Sequence, residues 1–187
     1  MKLNKELFYK SFKRTNALDF LLDKLDNSET INRLSWYAYI LATIEHETAW
    51  TFKPITEKGN QRYLTGKRYY PYIGRGYVQL TWDFNYKKFG KILNIPLLEK
   101  PELANEPETA WKILEIGMVR GLYTGKKLAD YLNDKGLDFY SARRIINGVD
   151  RASQIAGRAD KYFNTLEWIE QANAENGIDR YVGEAKP

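Results

Sequence analysis

Apolar residues recur at helical spacing along most of the chain and lose that period once. From Asn4 to Leu25, the positions of Leu7, Phe8, Phe12, Leu18, Leu21, Leu22 and Leu25 predict two helices broken near Arg14 to Asn16. Asn27 to Thr30 supply turn and cap residues, and a long helix is predicted from about Ile31 to Trp50. It is apolar nearly all round, through Leu34, Trp36, Tyr37, Ala38, Tyr39, Ile40, Leu41, Ala42 and Ile44, the pattern of a helix enclosed on every side. From Thr51 to Arg75 the period stops. Pro54, Gly59-Asn60, Gly66, Pro71 and Gly74 punctuate a segment of about 25 residues, and loops of that length in compact domains are usually functional. In Tyr72 to Trp82, glycines flank Arg75, and Tyr77, Gln79 and Thr81 then alternate with Val78, Leu80 and Trp82. This predicts a short extended piece, or the first turn of a helix, showing Gln79 and Thr81 to one side. Later helices are predicted from Asn85 to Leu93, from a capping-box-like Asn105 and Glu108 to about Leu122, and from Asp138 to Ile146. The last, Arg151 to about Ala172, is capped by Asp150 and buries Ile155, Ala159, Tyr162, Leu166 and Ile169. Beyond Asn176 a polar tail, about 176–187, is expected.

Composition narrows the chemistry. The 187 residues, 43% hydrophobic, fit a single globular domain with room for two lobes, and no repeat, linker or separate binding module interrupts them. Met1 to Phe12 mixes Lys, Asn and Glu with apolar residues, so no secretory signal is read there, and no run of about 18 apolar residues would span a bilayer. Synthesis in the cytoplasm is therefore expected. The absence of cysteine excludes disulfides, thiolate metal sites and a Cys nucleophile, and a single histidine removes most metal and triad chemistries. His46-Glu47 opens like a zinc-protease motif, but Trp50 stands where the second histidine would be. No metal and no cofactor are expected. The net charge of +5 suits an anionic partner as well as a plain solvated surface. No basic stripe with interleaved aromatics supports nucleic acid. The 14 Tyr and 5 Trp suit a wet groove against sugar faces, although aromatics at helical spacing also build cores.

Two glutamates carry the candidate chemistry. At about 100° per residue, Glu47 falls on the stripe of Ile40 and Trp36, opposite Leu34 and Leu41. The apolar face and the negative end of the helix dipole both disfavour a carboxylate charge there, as a general acid requires. Glu45 falls on the other side and is the alternative buried carboxylate or the partner of a base; a surface glutamate at a frayed helix end is the alternative for Glu47. Past Pro54, Glu57 cannot share a helix face with Glu47, so it approaches from a loop or short hairpin across a cleft. An inverting glycosidase holds its base about 6.5–9.5 Å from the acid in this way, and a solvated loop glutamate fits the same spacing. Gln79, Thr81 and Asn85 both donate and accept, which suits sugar hydroxyls, an N-acetyl group or a bound water. Read alone, Arg144 and Arg158 are surface charges.

Four motifs then carry a resemblance. They are His46-Glu47-Thr48; Tyr72-Ile73-Gly74-Arg75-Gly76-Tyr77-Val78-Gln79-Leu80-Thr81-Trp82 with Asn85-Tyr86; Leu103-Ala104-Asn105 with Pro107-Glu108 and Ala110-Trp111; and Arg144-Ile145-Ile146-Asn147-Gly148. In this order they resemble the glycoside hydrolase family 19 chitinases and their phage endolysin relatives, over about Leu41 to Leu166. The resemblance implies a mainly α, two-lobed lysozyme-like fold with a central buried helix and a short β/loop region lining the cleft. It further implies Glu47 as general acid, Glu57 as base and Thr81 as the holder of the attacking water. Tyr72, Gln79, Asn85 and Asn147 would bind sugar, and Arg158 would match an arginine that organises the carboxylates. Plant members usually carry two glycines where this chain has Ala49-Trp50, and their second glutamate follows a longer disulfide-bearing loop. The short loops, the lack of cysteine and the stretch Tyr123 to Leu128 resemble the phage lysins instead. The expectation is a peptidoglycan-degrading endolysin, monomeric, made in a host cytoplasm and acting on the bacterial wall after a holin-type release. Its +5 charge suits weak association with anionic envelope polymers. The alternatives are a chitinase and an inactive glycan-binding protein.

Overall fold

The computed structural model describes residues 2–169. After a two-residue strand, β1 (Lys2–Leu3), come α1 (Lys5–Ser11) and α2 (Asn16–Asp26). Asn4 and Thr15 cap them, accepting from the Leu7 and Leu18 amides, so the expected break is set by a fresh N-cap. The central helix α3 (Leu34–Glu47) is buried at every residue from Ser35 to Glu45. It begins at Leu34 rather than Ile31 and stops at Glu47 rather than Trp50. The stop is local: the Thr48 hydroxyl donates to the Ile44 carbonyl at 2.7 Å and accepts the Phe52 amide at 3.0 Å, while Ala49, Trp50 and Phe52 turn to positive φ.

The aperiodic stretch holds short elements. β2 (Ile55–Thr56) leads to α4 (Gln61–Thr65) and then to β3 (Arg75–Gly76), which pairs antiparallel with β2, Ile55 opposite Gly76 and Thr56 opposite Arg75. The expected alternation from Tyr77 to Trp82 is not an extended piece. Gly76 at φ 84 and Gln79 at φ 52 close a tight turn that brings Leu80 back onto Arg75 through two backbone hydrogen bonds. Next come α5 (Asp83–Leu93), a 3-10 helix Pro101–Asn105 and α6 (Pro107–Arg120). The anticipated Asn105/Glu108 capping box is absent: Pro107 starts α6, and the Asn105 side chain accepts the Gly76 amide at 3.3 Å instead. After α7 (Leu128–Tyr131) and the hairpin of β4 (Leu132–Asn133) with β5 (Gly136–Leu137), the segment expected as a helix from Asp138 is a 3-10 helix, Ser141–Ile145.

Helix α8 (Ala152–Phe163) packs along α3 more extensively than any other pair of elements meets, through Ile155, Ala159 and Tyr162. Its N-cap is Arg151 at φ 58, with no side-chain cap from Asp150. It ends at Phe163, before the expected Ala172. The chain then reverses so that β6 (Trp168–Ile169) pairs antiparallel with β1 and leaves Ile169 half-buried rather than buried. Ala172 and the polar tail lie outside the described residues. The result is a mainly α, lysozyme-like fold around one core that α3 threads. No helix among the described residues is long and apolar enough to cross a membrane.

Two helical glycines respond oppositely to a methyl group. A Cβ at Gly117 in α6 would lie 2.2 Å from the ring of Tyr123, whose hydroxyl is fixed on the Ile113 carbonyl at 2.7 Å. At exposed Gly157 in α8 it would meet nothing within 4 Å. Urea unfolding is expected to give a loss of about 1–3 kcal/mol for Gly117→Ala and a gain of about 0.5–1 kcal/mol for Gly157→Ala. The same sign for both would contradict this packing.

Candidate active site

The apolar surface of α3 gives out at Glu47, whose side chain is 15% exposed. The carboxylate faces a cation that helical periodicity cannot show. Arg143, only 3% exposed, donates from its guanidinium to Glu47 Oε1 at 2.7 Å. The 3-10 helix Ser141–Ile145 turns Arg143 inward, and its Nε donates to the Asp150 carbonyl at 3.1 Å. The expected picture of Glu47 as a lone carboxylate on an apolar face is corrected accordingly: its partner lies 96 residues along the chain. Asn147 belongs to the same cluster through its backbone, since its amide donates to the Arg143 carbonyl at 3.0 Å. Its side chain is exposed, and Oδ1 accepts the Gly148 amide at 2.8 Å.

Glu57, half-buried, follows β2 directly. Its Oε1 accepts the Tyr69 hydroxyl at 2.9 Å and its Oε2 the Gly74 amide at 3.1 Å, while its own amide donates to the Gly74 carbonyl at 2.7 Å. Burial, reinforced by the hydrogen bond to Glu57, pushes the Tyr69 phenol above its ordinary range and keeps it a donor. A carboxylate held by two donors is oriented as an acceptor, the posture of a base. Gln79 locks this unit: its amide donates to the Ile55 carbonyl at 3.1 Å, and a Cβ on Gly74 would come within 2.8 Å of its Oε1. Thr81 donates to the Gln79 carbonyl at 2.8 Å, and Asn85 to the Thr81 carbonyl at 2.9 Å. Gln79, Thr81 and Asn85 thus spend donors on backbone and keep side-chain oxygens as acceptors. Tyr72 gives its hydroxyl to the Leu98 carbonyl at 3.2 Å and lies against Tyr86.

Glu57, Gln79, Thr81 and Asn85 therefore form one hydrogen-bonded unit, and Glu47 with Asn147 another built on Arg143. Arg158 belongs to neither. It pairs with buried Glu45 at 3.5 Å and lies over the Trp50 indole at 4.0 Å, because two residues along a helix turn a side chain by about 200°. The arginine that meets Glu47 is Arg143, which the sequence reading missed; its neighbour Arg144, in the recognised motif, is exposed. From Tyr69 an aromatic strip runs outward. Trp82, 39% exposed, meets the Tyr69 ring edge-on at 5.3 Å, and Phe84, 56% exposed, stacks on Trp82 at 6.1 Å.

The mainly α scaffold with one carboxylate on a buried helix and another on a hairpin defines a lysozyme-like class. Within that class the chain has a family 19 chitinase-like fold. It superposes on chitinase C from Streptomyces griseus with a TM-score of 0.63 at 25% identity, over 87% of this chain and 92% of that one. A further bacterial family 19 chitinase gives a TM-score of 0.57 at 22% identity, over 87% and 93%. An endochitinase of Arabidopsis thaliana is 36% identical over 83 residues, 40% of this chain and 29% of that protein. An endochitinase of Phaseolus vulgaris is 27% identical over 96 residues, again covering 29% of its own length. The chain thus spans less than a third of the plant relatives it matches. No family model matches it. These relatives are chitinases, which overturns the expectation of a phage endolysin with peptidoglycan as its partner. That expectation rested on short loops, missing cysteines and the stretch Tyr123 to Leu128, none of which reports which N-acetylated polymer a groove accepts.

Glu45 supplies a pH test. It is 6% exposed, and burial, only partly opposed by the Arg158 charge, raises its carboxyl above the ordinary 4.5. A raised folded-state value means that the folded protein holds this proton where the unfolded chain releases it. Stability is then lost as pH rises from about the unfolded value through the folded one. Melting temperatures of wild type and Glu45→Gln, measured from acid to neutral pH, are expected to diverge in favour of Glu45→Gln as pH rises above that point. Parallel curves would contradict the burial argument.

Proposed function

We propose that this chain is a chitinase, an inverting glycoside hydrolase that cleaves β-1,4 bonds between N-acetylglucosamine units. The observation that carries this reading is the shared fold with chitinase C over nearly the whole of both chains. The geometry supports matching roles. Arg143 occupies Glu47 Oε1, which leaves Oε2 to carry a proton to the departing glycosidic oxygen. The same guanidinium then faces the carboxylate that proton transfer creates, a charge-assisted hydrogen bond that favours the step. Glu57, oriented by Tyr69 and Gly74, takes a proton from a water attacking the opposite face of the sugar, with Thr81 as a further acceptor for that water. One glycosidic bond and one O–H bond of water break, and two new hydroxyl ends form. Return of a proton from Glu57 to Glu47 through solvent resets the pair. Trp82 and Phe84 offer apolar faces on which pyranose rings stack.

Mass spectrometry of soluble products from colloidal chitin tests this. Wild type is expected to release N-acetylglucosamine oligomers, and Glu47→Gln and Glu57→Gln to lose about 100-fold or more in rate, with Glu47→Gln still sedimenting with chitin. Chitin binding without products from wild type, or products from peptidoglycan alone, would overturn the proposal.

A further inference from the structure

The cluster on the far side of α3 from Glu47 is unused by the mechanism above. Glu45 is buried, and its Oε2 has no hydrogen-bond partner among the described residues. Its Oε1 lies 3.5 Å from the Arg158 guanidinium, whose other neighbour is the Trp50 ring, 4.0 Å away. Trp50, 53% exposed, therefore covers a cation that reaches inward to a buried anion. The void among Glu45, His46, Trp50 and Arg158 is only about 10 Å³, room for about one water and none for a sugar.

The backbone around this cluster encloses Glu47. After the last turn of α3 the Thr48 amide donates to the Ile44 carbonyl at 2.9 Å, and the Trp50 amide folds back to the Glu45 carbonyl at 2.8 Å. Ala49 and Trp50 hold φ of 48 and 70, conformations that glycine adopts freely and side-chain-bearing residues rarely do. Side chains at such positions persist when surrounding contacts over-determine them, and the Trp50–Arg158–Glu45 stack acts there beside the Thr48 hydrogen bonds that close the same turn.

We propose that Trp50 and Arg158 are positioning residues. Clamped onto Glu45, they hold the turn after α3 in its left-handed path and so fix the direction of Glu47. This rests on the chitinase reading for its kinetic consequence but not for its structural one.

The test compares Trp50→Gly, which suits the backbone and removes the clamp, with Trp50→Phe, which keeps an aromatic face over Arg158. Hydrogen exchange at the amides of residues 48–52 is expected to speed up in Trp50→Gly and to stay close to wild type in Trp50→Phe, whatever the substrate proves to be. On chitin oligomers, Trp50→Gly is expected to lower kcat by about 10-fold to 100-fold with KM little changed, and Trp50→Phe to restore it. A rise in KM at unchanged kcat would make Trp50 a sugar contact and overturn the proposal, as would unchanged exchange in Trp50→Gly. If wild type cleaved no chitin, the chitinase reading would fail while the exchange data still decided the clamp.

Discussion

The structure depends on one constraint: a helix enclosed by protein carries two carboxylates. Everything from Ser35 to Glu45 in α3 is buried, so a charge placed there needs a partner drawn from elsewhere in the fold. Glu45 and Glu47 point to opposite sides, so no single cation serves both. Arg158 on α8 and Arg143 on the 3-10 helix Ser141–Ile145 answer them separately. Desolvation consumes most of what such pairs gain in stability. Both pairs tie α3 to the elements between Ser141 and Phe163.

The second carboxylate obeys a different rule. Glu57 sits on a hairpin edge where neutral donors, a phenol and a backbone amide, orient it without a guanidinium. The two carboxylates thus sit in unlike surroundings, one facing a buried cation and one facing neutral dipoles. The hairpin owes its shape to Gly76 and to Gln79 at positive φ, and Gln79 ties the turn back to β2. The candidate residues are thus held by a helix end and by a cross-braced turn.

Much of this was legible in the sequence. The all-round apolar run identified α3 as central and placed Glu47 in its last turn, and the loss of period after Thr51 marked the segment that carries Glu57. Spacing alone could not reveal Arg143, because a 3-10 helix buries Arg143 and exposes Arg144, and because the pairing spans 96 residues. It also read Tyr77 to Trp82 as an extended piece or the first turn of a helix, since alternation of polar and apolar residues says nothing about a positive φ at Gln79. The resemblance matches Arg158 to an arginine that organises the catalytic carboxylates, whereas it pairs with Glu45, a difference that becomes visible only when α8 is seen on the Glu45 side. Substrate choice was least legible, because chitin and peptidoglycan share the β-1,4-linked N-acetylated sugar that such motifs address.

The most direct test of a paired-carboxylate, single-displacement site is the anomeric form of the first products from a chitin oligomer, followed by proton NMR before mutarotation. Water delivered by Glu57 to the face opposite the leaving group yields the α-anomer at the new reducing end. Initial formation of the β-anomer would mean a double displacement and would contradict the roles assigned to Glu47 and Glu57.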